Sequence, residues 1–244
     1  MRYFIEFAYK GTNYHGWQMQ PNAISVQEVL SNAMATILQD EILLTGAGRT
    51  DAGVHAKQMF AHFDCEIELD FAQLVYKLNS LLPKDIVVLN FHHVSETAHA
   101  RFDATKRIYE YHINTKKNAF QCHDSWYFQN NLHINLMNQA CEILKTHTDF
   151  ECFSKVNTDV NTFNCAIQTA FWEQKIEHLI FTISADRFLR NMVRAIVGTM
   201  INIGLEKVSL PQFESILKSK DRKKAGFSAP AEGLYLTKVE YDFL

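Results

Sequence analysis

Residues 42–63 read Ile42-Leu43-Leu44-Thr45-Gly46-Ala47-Gly48-Arg49-Thr50-Asp51-Ala52-Gly53-Val54-His55-Ala56-Lys57-Gln58-Met59-Phe60-Ala61-His62-Phe63. They contain two strand-like segments, 42–45 and 56–63, separated by a loop with glycines at 46, 48 and 53. The elements on either side are symmetric. Upstream, Ser25-Val26-Gln27-Glu28 has the form of a capping box, in which Ser and the Glu three residues later satisfy each other's backbone N–H. It opens a helix with Val26, Val29, Leu30, Ala33, Met34, Ile37 and Leu38 at helical spacing, and residues 2–9 before it alternate as a strand. Downstream, Asp70-Phe71-Ala72-Gln73 opens a second helix that must stop before Pro83, and the Val- and Ile-rich run 86–94 follows as a strand. The order β-α-β-β-α-β is the split βαβ pattern.

The second half repeats the theme loosely. Lys106–Asn114 alternates as a strand. Residues 135–147 read as a helix, 163–173 and 178–185 as paired strands, and Asp186 to Asn202 as a long helix. Ser209-Leu210-Pro211-Gln212 opens another helix that ends near Lys218, and residues 234–241 form a last strand. The fold class expected is α+β, with two ferredoxin-like halves sharing a mixed, mostly antiparallel sheet. The expected division is 1–104, carrying the glycine loop, and 105–244, carrying the tyrosine-rich strand and the arginine-rich helix.

Composition narrows the function. An apolar fraction of 47% and a charged fraction of 21% are ordinary for a soluble globular chain of 244 residues. Glu6 interrupts the early apolar run, so no secretory signal is expected. No apolar stretch is long enough to span a bilayer, and the expected setting is cytoplasmic, with no membrane partner. Five cysteines without a C-x-x-C pair imply free, mostly buried thiols. Cys122-His123 and His92-His93 lack a second clustered pair, so no metal site is expected. A net charge of -3 argues against indiscriminate coating of nucleic acid, but it leaves room for a local basic face.

The glycine loop is where chemistry is expected. Gly46 and Gly48 begin a G-x-G-x-x-G pattern, but its third glycine is replaced by Asp51, whose charge would repel a pyrophosphate. The Gly-Lys-Ser/Thr of a nucleoside triphosphate loop is absent. What remains is a flexible backbone presenting Arg49, Thr50 and Asp51. A lone Asp among glycines reads first as a turn residue accepting a backbone N–H. The adjacent Arg49 favours a second role, because a nearby guanidinium keeps a carboxylate ionised, as a nucleophile requires.

Cationic groups gather elsewhere. Arg187, Arg190 and Arg194, spaced three and four apart, would share one face of a helix. A basic stripe often faces only solvent, yet arginine is the residue suited to bidentate phosphate or carboxylate contacts. Lys106-Arg107 and Lys116-Lys117 flank the tyrosine-rich strand, and five further basic residues lie between 218 and 224. Tyr14, Trp17, Phe102, Tyr109 and Tyr111 are interleaved with them, a combination suited to RNA with unstacked bases. The competing reading puts strand aromatics in the core, and one of Tyr109 and Tyr111 is expected there.

On these residues the chain resembles the tRNA pseudouridine synthase I family, also called tRNA pseudouridine synthase A. Gly16-Trp17-Gln18 looks like the family's opening motif, and Gly48 to Ala56 is similar to its catalytic motif at every position. Ala100-Arg101-Phe102-Asp103-Ala104 with Arg107-Ile108-Tyr109-Glu110-Tyr111 matches the next block. Phe188-Leu189-Arg190-Asn191-Met192-Val193-Arg194 with Gly198, and Gly233-Leu234-Tyr235-Leu236 with Val239 and Tyr241, match the last two. Lys10 stands where the family commonly has Asp.

The resemblance implies the pseudouridine synthase fold, a homodimer in which one tRNA contacts both subunits, and a reaction without cofactor or metal. The implied reaction isomerises uridine to pseudouridine in the anticodon arm, at positions 38, 39 and 40. By position, Asp51 matches the nucleophile and Tyr109 the tyrosine packed against the target base. Arg194 matches the arginine paired with the aspartate, and Arg49 an arginine that helps extrude the base. Arg187, Arg190, Lys106 and Arg107 are candidate RNA contacts. Two alternatives accompany this reading: a paralogue acting on other RNA uridines, and a nucleosidase or glycosidase, which would normally need a second carboxylate.

Overall fold

The computed structural model describes residues 1–155 and 160–244. Among the described residues there are nine strands and five α-helices, an α+β protein, and the chain divides into two compact units: Met1–Thr105 with Leu236–Leu244, and Lys106–Tyr235.

In the first unit, β1 (Arg2–Tyr9) pairs antiparallel with both β3 (His55–Asp64) and β4 (Ile86–Val94). The short β2 (Thr45–Gly46) pairs antiparallel with β3, and β9 (Leu234–Glu240) follows β3 in the strand order. The order β4-β1-β3, with β2 on the far side of β3, is the arrangement a split βαβ unit produces. The first helix, α1 (Val26–Leu38), starts where expected, with Ser25 accepting from the Glu28 N–H. The second, α2 (Phe71–Leu81), is capped by Asp70. It carries Phe71, which stacks on Phe91 of β4 and meets Tyr3 of β1 edge-on. Tyr3, Ile5 and Phe7 alternate along β1 and are fully buried or nearly so. Each such side chain contributes about 1.5–3 kcal/mol through the apolar surface it removes from water.

Of the segment 42–45, only Thr45 is in a strand. The Leu44 carbonyl is taken by the Gln27 side chain at 2.8 Å, so the ladder with β3 begins only at Thr45.

In the second unit, β5 (Lys106–Asn114), β8 (His178–Ala185) and β7 (Ile167–Gln174) form an antiparallel order, and β6 (Trp126–Tyr127) adds a parallel pair to β5. Residues 163–165 lie outside β7 because their backbone pairs with the 148–150 segment instead. The helix α3 (Ile134–Lys145) packs on β7, α4 (Met192–Gly204) and α5 (Leu210–Ser219). Ser209 and Gln212 form the complete capping box of α5.

The expected helix from Asp186 begins six residues late. Asp186 Oδ1 accepts the N–H groups of Ala166 and Arg187, and Asn191 adopts a left-handed backbone at φ 66°. Residues 186–191 are therefore a loop, and Arg187 and Arg190 do not share a helix face with Arg194. Within α4 only Arg194 and Asn202 escape burial, so this helix is core nearly all round.

Tyr111 is fully buried and Tyr109 half-buried. Standing two apart on β5, they share a face. Position along the strand, not alternation, separates their burial.

Candidate active site

The Asp51 loop connects β2 to β3 and is braced from beneath by the loop that follows β1. Ala47 N–H donates to the Phe60 carbonyl at 2.8 Å, continuing the ladder into the loop. A turn then closes with Val54 N–H on the Asp51 carbonyl at 3.2 Å, and Gly53 N–H donates to the Tyr14 carbonyl. The Thr50 hydroxyl lies 2.9 Å from the Tyr9 hydroxyl at the end of β1. Gly11 N–H donates to His55 Nδ1 at 3.0 Å, which ties the loop after β1 to the start of β3.

Two glycines of the motifs are required by close approach. Gly16 has φ 86°, and a Cβ there would stand 2.2 Å from the Thr50 carbonyl oxygen. A Cβ on Gly46 would stand 2.4 Å from Nε1 of Trp17, which is buried and stacked on Phe7 at 5.1 Å. The Gly16-Trp17 motif and the Asp51 loop are thus a single packed unit. Tyr14 donates to Asp85 at 2.6 Å, and burial first, then this bond, pushes its phenol well above the usual tyrosine range. Asp85 also accepts from Asn13, which anchors the same loop to the turn before β4. Against this frame Asp51 is half-buried and Arg49 exposed.

The second unit carries Tyr109 and Arg194. Tyr109, near the start of β5, meets Phe188 edge-on, with ring centroids 5.1 Å apart at 88°. Arg107 donates to the Asp186 carbonyl at 2.6 Å, so one end of β5 and the 186–191 loop hold each other. Lys106, Arg107 and Arg187 are half-buried, while Arg190 is exposed. Arg194, in the first turn of α4, uses Nε to donate to the Ala229 carbonyl at 2.7 Å.

Sequence reasoning did not single out Tyr9, Asp85, Phe188 or Ala229 for a part in the site. Of these, Phe188 stood inside a matched block, whereas the other three carry no local pattern. All five cysteines are free thiols, four buried and Cys122 exposed. Burial pushes Cys141, Cys152 and Cys165 up to about 12, so they stay protonated at neutral pH. Among the described residues no group of three or more His, Cys, Asp or Glu could hold a metal ion, and no helix is long and apolar enough to cross a membrane.

A family profile described as tRNA pseudouridine synthase matches residues 140–242. A Bacteroides fragilis protein named tRNA pseudouridine synthase A is 52% identical, over 98% of this chain and 96% of its own length. A protein of the same name from Parabacteroides distasonis is 48% identical over 98% of this chain and 96% of its own. One from Thermoanaerobacter pseudethanolicus is 41% identical over 97% and 98%. With relatives this similar from end to end, the chain belongs to the tRNA pseudouridine synthase A family.

Proposed function

We propose that this protein isomerises uridine to pseudouridine in tRNA, at positions 38, 39 and 40 of the anticodon arm, with Asp51 as the nucleophile. The observation that carries the reading is the Asp51 loop. A glycine-rich segment is held by Tyr9, Tyr14 and the close approach of Gly16, and it presents a half-buried carboxylate. Preorganisation of this kind is what a reacting group needs and what a plain surface turn does not.

The chemistry sets the remaining roles. The N1–C1′ glycosidic bond must break, the uracil must turn, and a bond must form from C5 to C1′ while the C5 proton leaves. An ionised Asp51 serves attack at C1′, initiation of a glycal, or addition at C6. In this reading Arg194 is the arginine paired with the aspartate. The freed uracil has to be retained, and the Tyr109 ring, held edge-on by Phe188, forms the wall it packs against. A base inside a stem must leave its stack first, at a cost of about a few kcal/mol, and Arg49 assists this extrusion. Lys106, Arg107, Arg187 and Arg190 contact the RNA backbone. The active species is a cytoplasmic homodimer in which one tRNA touches both subunits.

Mapping pseudouridine in cellular RNA from a strain lacking the gene tests the substrate. Loss confined to positions 38–40 of tRNAs supports the reading. Loss at other uridines redirects it to a paralogue's specificity. Release of free uracil by the purified protein favours a nucleosidase.

A further inference from the structure

Residues 226–230 form a strap along the first turns of α4. Gly226 N–H donates to Thr199 Oγ1 at 2.8 Å, and Ala229 N–H donates to the Arg194 carbonyl at 3.0 Å. Tyr111 donates from its hydroxyl to the Pro230 carbonyl at 2.8 Å. In the same stretch, the Ala229 carbonyl receives Arg194 Nε at 2.7 Å. Arg194 therefore meets one residue with both its backbone and its side chain.

The strap has a second anchor. Arg222 donates from one terminal nitrogen to the Gly226 carbonyl at 2.9 Å and from the other to Ser228 Oγ at 3.0 Å. Ser228 Oγ also accepts from Asn191 Nδ2 at 2.7 Å. Asn191 is the left-handed residue immediately before α4, and its carbonyl accepts the Ala195 N–H at 3.1 Å. The bonds close a ring: Arg194 to Ala229, along the chain to Ser228, across to Asn191, and back along the chain to Arg194.

We propose that Arg222 is a positioning residue for Arg194, setting the plane of the Arg194 guanidinium through Ser228 and Ala229. A guanidinium is planar, so fixing the Cδ–Nε bond and the direction of the Nε–H towards the Ala229 carbonyl fixes the directions of its two terminal nitrogens. Those directions depend on where the Ala229 carbonyl sits, which depends on the strap. Arg222 grips the strap at two points two residues apart, which its rigid fork can do and a lysine ammonium cannot. Asn191 and Arg222 meet on one hydroxyl, so a shift of Ser228 would reach Arg194 both through Ala229 and through the entry to α4. This inference rests on the reading that Arg194 takes part in the chemistry.

The test is a double-mutant cycle on the full-length protein with an unmodified tRNA transcript. It compares Arg222→Ala, Arg222→Lys, Arg194→Gln and the Arg222→Ala/Arg194→Gln pair, with steady-state kcat and KM for tRNA measured for each. Arg222→Ala is expected to lower kcat by about tenfold to a hundredfold while KM for tRNA stays within about twofold, the pattern of a misplaced group and not of weakened substrate binding. Arg222→Lys recovers part of that loss. In the Arg194→Gln background, Arg222→Ala adds little, because its effect runs through Arg194.

If Arg222→Ala fails to fold, Ser228→Ala removes the shared acceptor while keeping both arginines, and it is read by the same criteria. A wild-type kcat in Arg222→Ala, or a loss that multiplies in full with that of Arg194→Gln, overturns the proposal while leaving the role of Arg194 intact. Full activity of Arg194→Gln removes Arg194 from the chemistry, and the proposal falls with it.

Discussion

Gly16 and Thr50 meet backbone to backbone: the hydrogen on Gly16 that a side chain would replace points at the Thr50 carbonyl, 2.2 Å from where a Cβ would lie. Thr50 precedes Asp51, so the opening Gly-Trp-Gln motif sets the height of the candidate nucleophile. Gly16→Ala must push that carbonyl away and hold alanine at φ 86°, a conformation that costs L-residues roughly 1–3 kcal/mol. Denaturant unfolding should show a loss of that size, and single-turnover assays should show a slower rate in the fraction that remains folded. A variant with unchanged rate and stability would disconnect the two loops.

Tyr109 offers a ring and a hydroxyl. Tyr109→Phe keeps the edge-on contact with Phe188, and tRNA affinity should match the wild type. If the hydroxyl helps remove the C5 proton, turnover falls by about a hundredfold, in the range of general-base contributions. Full turnover in this variant would restrict Tyr109 to a packing role.

Arg187 and Arg190 lie on a loop, not on a shared helix face, so each is expected to contact the RNA independently. Arg187→Ala and Arg190→Ala should each weaken tRNA binding and flatten the log-affinity versus log-salt slope by about 0.7–0.9 for each phosphate the arginine neutralises. Binding measured between low and moderate salt checks this. An unchanged slope would make them solvated surface.

His62 gives the protein a pH-dependent stability. Its Nδ1 accepts the Ala100 N–H at 3.1 Å in a buried setting. Burial first, then the neighbouring His99 and Arg2, lowers its pKa from 6.5 to about 4, while Asp64 and Asp103 pull weakly the other way. The unfolded chain therefore binds the proton first as pH falls. Stability is unaffected above about 6.5 and declines towards about 4, by at most about 1.4 kcal/mol per pH unit. His62→Gln, which can still accept the Ala100 N–H, should lose that part of the pH dependence in thermal unfolding curves. An identical pH profile in the variant would refute the assignment.

Elements with a strong local signal were legible in the sequence. Strands β4 and β5 have the bounds that their apolar runs and alternation indicate. The caps at Ser25, Asp70 and Ser209 open the expected helices, because a cap is a contact between neighbours in sequence. What failed depended on distant partners. Gln27 captures the Leu44 carbonyl from 17 residues away and shortens β2. Asp186 bonds to Ala166 and holds the following residues out of α4, although their spacing reads as helix. Of the candidate site residues, Asp51, Arg49, Tyr109 and Arg194 were marked by motif. The supports Tyr9 and Asp85 act on residues 41 to 72 positions away in sequence and leave no periodic or local trace, and Arg222 reads in the sequence only as one member of a basic cluster, because its partners Gly226 and Ser228 are chosen by the strap's fold.

The most direct test of the account is Asp51→Asn, which keeps the size of the side chain and removes the charge that nucleophilic or glycal chemistry needs. The measurement is pseudouridine formed in a single turnover on an unmodified tRNA transcript, alongside tRNA affinity and thermal stability. The account predicts that affinity and folding are retained and that no pseudouridine forms above background. Pseudouridine formation at the wild-type rate by Asp51→Asn would contradict the account.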